Sequence, residues 1–194
     1  MDRATLKAAA KGQIKGNIGI LFVISLLNGL IVGALGAIPL VGTIAGMLLG
    51  AAFTLAVINI YLDLGYGRKP EISDLFNRVR DVLPAFCTQF LVGLFTFLWS
   101  LLLFVPGIVK ACSYSQAMYI LADDPSLSPT EAINRSKAMM DGHKMEYFLL
   151  GLSFYGWILL GIFTLGILYI WLIPYMQATL ANYYRSLKGE IIEG

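Results

Sequence analysis

Charged side chains are missing from three long blocks of the chain. Residues 16–62 hold no Asp, Glu, Lys or Arg, and neither do residues 82–109, 111–122 and 147–184. A helix that crosses a bilayer needs about 20 apolar residues. The blocks 16–62, 82–122 and 147–184 are therefore each about two spans long. Each is interrupted near its middle by residues that end helices: Gly36 to Gly42 around Pro39, Val105-Pro106-Gly107, and Thr164-Leu165-Gly166. The pattern predicts three helical hairpins: 18–38 with 42–64, 83–104 with 107–122, and 146–164 with 167–185. The strict alternation that marks a barrel strand is absent.

A mixed segment precedes each hairpin, and each reads as an amphipathic surface helix. The first covers 3–16, with Arg3, Lys7, Lys11 and Lys15 at every fourth position. The second covers 70–82, where Ile72, Leu75, Phe76, Val79 and Val82 recur at helical spacing. The third covers 128–142. Ser128 suits its N-cap, Pro129 its first helical position and Glu131 a capping box. The unit of surface helix, span, turn and span thus occurs three times. Tyr114-Ser115-Gln116-Ala117 and Tyr175-Met176-Gln177-Ala178 echo one another in the second and third units.

Composition agrees. The 194 residues are 58% hydrophobic and 13% charged, against about 25% charged in a soluble domain. Mean hydropathy is +0.74. The fold class is an all-α integral membrane protein forming a single membrane domain over 1–194. A net charge of +2 gives no reason to expect a nucleic-acid partner. Of the 14 Lys and Arg, all but Lys110 fall before the first span, in the connections between hairpins, or after the last span. Such residues concentrate in the cytoplasm, so both termini are expected there, against an anionic cytoplasmic leaflet. A cleaved leader is disfavoured, because the first apolar run is too long and a second span follows at once.

Lys110 lies about one turn inside a span. It either marks a pathway for an anionic ligand or snorkels to the outer interface. Its helix is the most polar span, with Ser113, Tyr114 and Gln116 within two turns; Gln177 is the matching amide of the third hairpin. These groups either line a polar path or tie helices together by hydrogen bonds. Gly29 and Gly33 form one GxxxG spacing, and Gly42, Gly46 and Gly50 form two more. They serve packing inside the first hairpin or a homo-oligomer interface. Two Cys and the single His143 have no metal-ligand spacing. No nucleophile–base set is visible, so neither a cofactor, a metal nor an enzymatic role is expected.

The stretch Val105-Pro106-Gly107-Ile108-Val109-Lys110-Ala111, with Ser113-Tyr114-Ser115, Tyr119 to Asp123, Ser128, Glu131-Ala132-Ile133, Ser136 and Met139 to Lys144, resembles a known family. It is similar to the bacterial domain-of-unknown-function family nine-seven-five. Leu152-Ser153-Phe154, Gly156-Trp157, Leu165-Gly166-Ile167 and Ile173-Pro174-Tyr175 extend the likeness. More loosely, the chain resembles the membrane domain attached to some glycerophosphodiester phosphodiesterases, which is not their catalytic part. The resemblance implies a multi-pass protein of the bacterial inner membrane. It marks Pro106, Gly107, Ser128, Glu131, Ser136, Gly142 and His143 as family-like positions, and brings no biochemical role. Two functions remain open. One is a non-enzymatic protein that binds or moves a small or lipidic ligand along the polar face of 107–122. The other is a scaffold or accessory subunit whose surface helices dock a partner or sense lipid.

Overall fold

A computed structural model describes residues 3–39, 41–102, 104–164, 166–190 and 192; of Leu102 and Phe104 it describes only the backbone. Leu40, Leu103 and Leu165, which the pattern places at the ends of the predicted spans and in their turns, lie outside the described residues. The chain forms α1 (Arg3–Ile14), α2 (Ile18–Gly36), α3 (Val41–Gly65), α4 (Val82–Leu102), α5 (Phe104–Tyr114), α6 (Ala117–Asp123), α7 (Pro129–Met139), α8 (Lys144–Phe163) and α9 (Tyr169–Leu187). No strand occurs among the described residues. Four helical stretches are long and apolar enough to cross a membrane: Ile18–Gly36, Val41–Gly65, Ile72–Leu101 and Lys144–Phe163.

Two expectations change. Where the pattern predicts an amphipathic helix over 70–82, the chain makes two 3-10 turns, Ile72–Phe76 and Val79–Asp81. The side chain of Glu71 and that of Asp74 accept each other's backbone amides, which closes the first turn. Pro84 then occupies the first turn of α4, where its missing N–H costs nothing. A helix running on from 70 would have placed that proline in its interior. The second change is in 107–122. Helix α5 starts earlier, at Phe104, so Pro106 and Gly107 belong to its first turn, and the helix breaks at Ser115–Gln116 before α6.

Burial divides the molecule into a packed base and three exposed tips. The core is built from the second half of α3 (Ala51 to Leu64), from α6 and from Leu172 to Ser186 of α9. Helix α1 joins this base through Leu6, Ala9, Ala10 and Ile14, all buried. Its amide Gln13 exchanges two hydrogen bonds with Asn182 of α9, at 3.2 and 2.9 Å. Aromatic pairs fasten the neighbours of α9: Tyr119 stacks on Tyr184 and Tyr147 meets Tyr183, with centroids 5.5 and 5.4 Å apart. Gly142 (φ +79°) turns the chain from α7 into α8 in a conformation that other residues rarely adopt.

Towards the turns of the hairpins the apolar side chains face outward. Val41 is 76% exposed, Leu101 74% and Phe163 85%. In water such a surface would be far larger than the patches soluble proteins tolerate. Against lipid tails it costs nothing. The base thus holds together helices whose far ends are apolar and exposed.

Candidate functional site

The break in the second hairpin is made by serines. Ser113 Oγ donates to the carbonyl of Val109 (2.8 Å), and Ser115 Oγ to that of Cys112 (2.8 Å). Such back-bonding competes with the helical ladder. A continuous helix would give the Ser113 carbonyl to the amide four residues on. Here it accepts instead from Ser136 Oγ of α7 at 2.8 Å, and the same hydroxyl accepts from the backbone N–H of Gln116 at 3.2 Å. Ser136 is fully buried. One hydroxyl on α7 therefore closes both loose ends of the break between α5 and α6. Gln116 Nε2 donates to Ser115 Oγ (2.9 Å), while its buried Oε1 has no partner.

The remaining polar residues of this helix do not continue into a path. Lys110 Nζ sits over the ring of Trp99 on α4, 4.6 Å from its centroid. Tyr114 is buried, with Phe95 beside it at 6.2 Å and Lys137 Nζ over its ring at 5.6 Å. Gln177 lies apart on α9, half-buried and with no side-chain hydrogen bond among the described residues. Gly107 is where α5 comes closest to α4: a Cβ there would fall on Ser100 Oγ. On α7, Ser128 Oγ accepts the amide of Glu131 at 3.2 Å, whereas the Glu131 carboxylate turns to Arg135 at 2.7 Å. Ile133 and Met140 point into the core, so the apolar face of α7 is already occupied. His143 Nδ1 meets Glu146 at 3.1 Å, and its carbonyl accepts from the Tyr183 hydroxyl at 3.1 Å. No group of three His, Cys, Asp or Glu is placed to hold a metal among the described residues; Cys87 and Cys112 are free.

Open space occurs elsewhere. A fissure of ≈ 640 Å³ runs between α2, α3 and α4. Its walls include Gly29, Gly33 and Gly36 of α2 and Gly46 and Gly50 of α3; Asn28, Thr54 and Gln89 supply polar groups. The glycines divide into two sets. Gly42 meets α2 so closely that a Cβ would strike the Leu35 carbonyl and Ile38. Gly29 and Gly33 have nothing within 4 Å of that position and face the fissure. Asn28 Oδ1 is buried without a partner. Such groups are expensive away from water. The fissure is thus an apolar slot with an unsatisfied acceptor in its wall.

At the base a charged junction joins residues that the charge pattern alone does not single out. The guanidinium of Arg185 donates to the Gly65 carbonyl (2.8 Å) and to Glu190 (2.7 Å), and stacks over Tyr66 at 4.3 Å. Tyr66 Oη donates to the other oxygen of Glu190 at 2.7 Å. Lys188 and Tyr184 share Asp123 Oδ2, at 2.8 and 3.2 Å. The Asp123 carboxylate, by this bond, holds the Lys188 ammonium above its ordinary pKa. Burial pushes Glu190 upward, but bonds from Tyr66 and Arg185 outweigh it and leave the carboxyl below its ordinary range.

Residues 101–190 match the model of a family described as Protein of unknown function (DUF975). The match covers just under half of the chain. The segment contains the serine-closed break, all of α7 and the arginine of the junction; the fissure lies before it. No curated protein and no solved structure matches the chain.

Proposed function

We propose that this is a non-enzymatic protein of the bacterial inner membrane, with six spans and both termini cytoplasmic. Its work is to bind, and in that way move or present, a lipidic or other largely apolar ligand. The binding place is the fissure between α2, α3 and α4, where the largest share of the glycines faces open space, rather than the face of 107–122. The observation that carries this reading is the ≈ 640 Å³ slot walled by glycines, with Asn28 Oδ1 buried and unpartnered beside it. A ligand that fits has a chain thin enough to lie against glycine backbones.

Gly33→Leu tests it, because the new side chain enters open space and leaves the hairpin contacts intact. Wild-type protein, extracted in mild detergent and weighed intact by native mass spectrometry, is expected to carry a bound apolar molecule that the variant lacks. Identical adducts on both proteins would refute the proposal. Loss of a dimer instead of an adduct would assign the slot to a helix of a second copy, the other occupant for which glycine-lined surfaces are suited.

A further inference from the structure

We infer that a second site, for a phosphate-bearing anion, lies at the cytoplasmic corner between α1 and the end of α3. This corner is separate from the fissure and does not depend on that reading. A cavity of ≈ 430 Å³ opens there. From the α1 side it is lined by Ala9, Gly12, Gln13 and Asn17, and from the end of α3 by Leu64, Gly65, Gly67, Arg68 and Lys69.

The lining carries two cations and no carboxylate. Between Asp2 and Asp63 the sequence holds no acidic residue at all, while Lys11 on α1 and Lys15 just past its end are exposed. Lys69 makes no hydrogen bond or ion pair among the described residues. Arg68 has a single partner, Asp63 at 3.0 Å, in a pair whose side chains are 73% and 41% exposed. An exposed pair of this kind is weak and leaves most of the guanidinium's donors free. Asn17 stands at the N-cap of α2 without using its side chain there. Gln13 is held in place by its two bonds to Asn182, which spend one of its two amide hydrogens. Thus a guanidinium, an ammonium and two amides are the polar side chains around one hollow. Guanidinium and ammonium groups recognise phosphate oxygens by charge-assisted bonds. Gly12 and Gly67 keep the hollow open: a Cβ at either would meet nothing within 4 Å, so side chains there would project into free space.

The position suggests where the anion comes from. The corner is the junction of a basic surface helix with the first predicted span, and the exit of the second. That is headgroup depth on the basic side of the protein. A phospholipid headgroup and a soluble organophosphate present the same chemistry, and the experiment separates them.

The full chain is placed in nanodiscs of phosphatidylcholine alone or with phosphatidylglycerol, and retained lipid is measured by native mass spectrometry. Three variants are compared: the double substitution Arg68→Gln with Lys69→Gln, Gly12→Leu, and Lys137→Gln as a charge-loss control on α7. A headgroup site predicts selective retention of phosphatidylglycerol. That selectivity falls about 25-fold in the double variant, at roughly fivefold per charge, and falls also in Gly12→Leu, which fills the hollow but keeps every charge. The control keeps it. If selectivity is absent but glycerol 3-phosphate raises the melting temperature of wild type and not of the double variant or Gly12→Leu, the site takes the soluble anion. Equal behaviour of all four proteins in both assays would overturn the inference, as would a loss in the double variant with Gly12→Leu unchanged. The latter result would mean only diffuse attraction between a basic surface and an acidic bilayer.

Discussion

Ser136→Ala removes one oxygen atom, and the structure says what that atom does. Its hydroxyl donates to the Ser113 carbonyl and accepts from the Gln116 amide. Neither backbone group has another partner. Ser113 is 4% exposed and Gln116 1%, so solvent does not replace the lost bonds. A buried amide or carbonyl left bare costs about 1–3 kcal/mol. Interhelical bonds in bilayers average nearer 1 kcal/mol, because the unfolded state also finds partners. Two such groups together give an expected loss of about 3 kcal/mol. The assay is reversible unfolding in mixed micelles of a mild detergent and dodecyl sulfate, followed by tryptophan fluorescence; Trp99, Trp157 and Trp171 report on the second and third hairpins. Ser126→Ala, which loses an exposed bond to Asp124, serves as the control and is expected within about 0.5 kcal/mol of wild type. If Ser136→Ala is equally silent, the hydroxyl does not hold the break closed and the coupling of α7 to the span is wrong.

Further outcomes follow from the glycines and the junction. Gly65→Ala puts a methyl on the Arg185 guanidinium and should cost about 2 kcal/mol in the same unfolding assay. Gly42→Ala should destabilise by about 1–3 kcal/mol, whereas Gly33→Leu leaves the unfolding midpoint near that of wild type. Lys110→Gln forfeits the contact with Trp99, worth roughly 0.5–1 kcal/mol where water still reaches the ammonium. The depressed carboxyl of Glu190 stabilises the fold above the ordinary carboxylate pKa of about 4.3. That contribution is lost as pH falls through the lower folded value. Thermal melts across this acidic range should therefore drop more steeply for wild type than for Glu190→Gln, and parallel curves would remove Glu190 from the junction's energetics.

Helix locations were legible where a local rule sets them. The long uncharged blocks mark α2, α3, α4 and α8, and Ser128-Pro129 marks the start of α7. The 70–82 stripe misled because its apolar spacing is real while Pro84 is the stronger constraint. In the event only Leu75 of that stripe is fully buried. Lys110 drew attention as an intramembrane charge, yet its partner is an aromatic face eleven residues earlier, which no charge pattern reveals. Ser136 and Arg185 were harder still. In the sequence Ser136 is a family-like position on the weaker apolar face of the 128–142 helix, and Arg185 a positive charge at the end of the last predicted span. Their partners, Ser113 and Gln116 in one case and Gly65, Tyr66 and Glu190 in the other, lie between 5 and 120 residues away. Contacts at that separation are fixed by tertiary packing and leave no periodic trace.

The junction around Arg185 also sets an order of assembly. A ribosome feeding this chain into a membrane delivers α2 and α3, then α4 to α6, before α9 exists. Until then the buried face of α3 and the carboxylate of Asp123 wait without their counterparts. Asn182 and Arg185 arrive late, and Glu190 later still, so α3 can pack on α4 and α6 early while its ties to α9 form only as the last turn of α9 emerges. Premature termination anywhere before residue 182 would leave the earlier helices without this clasp.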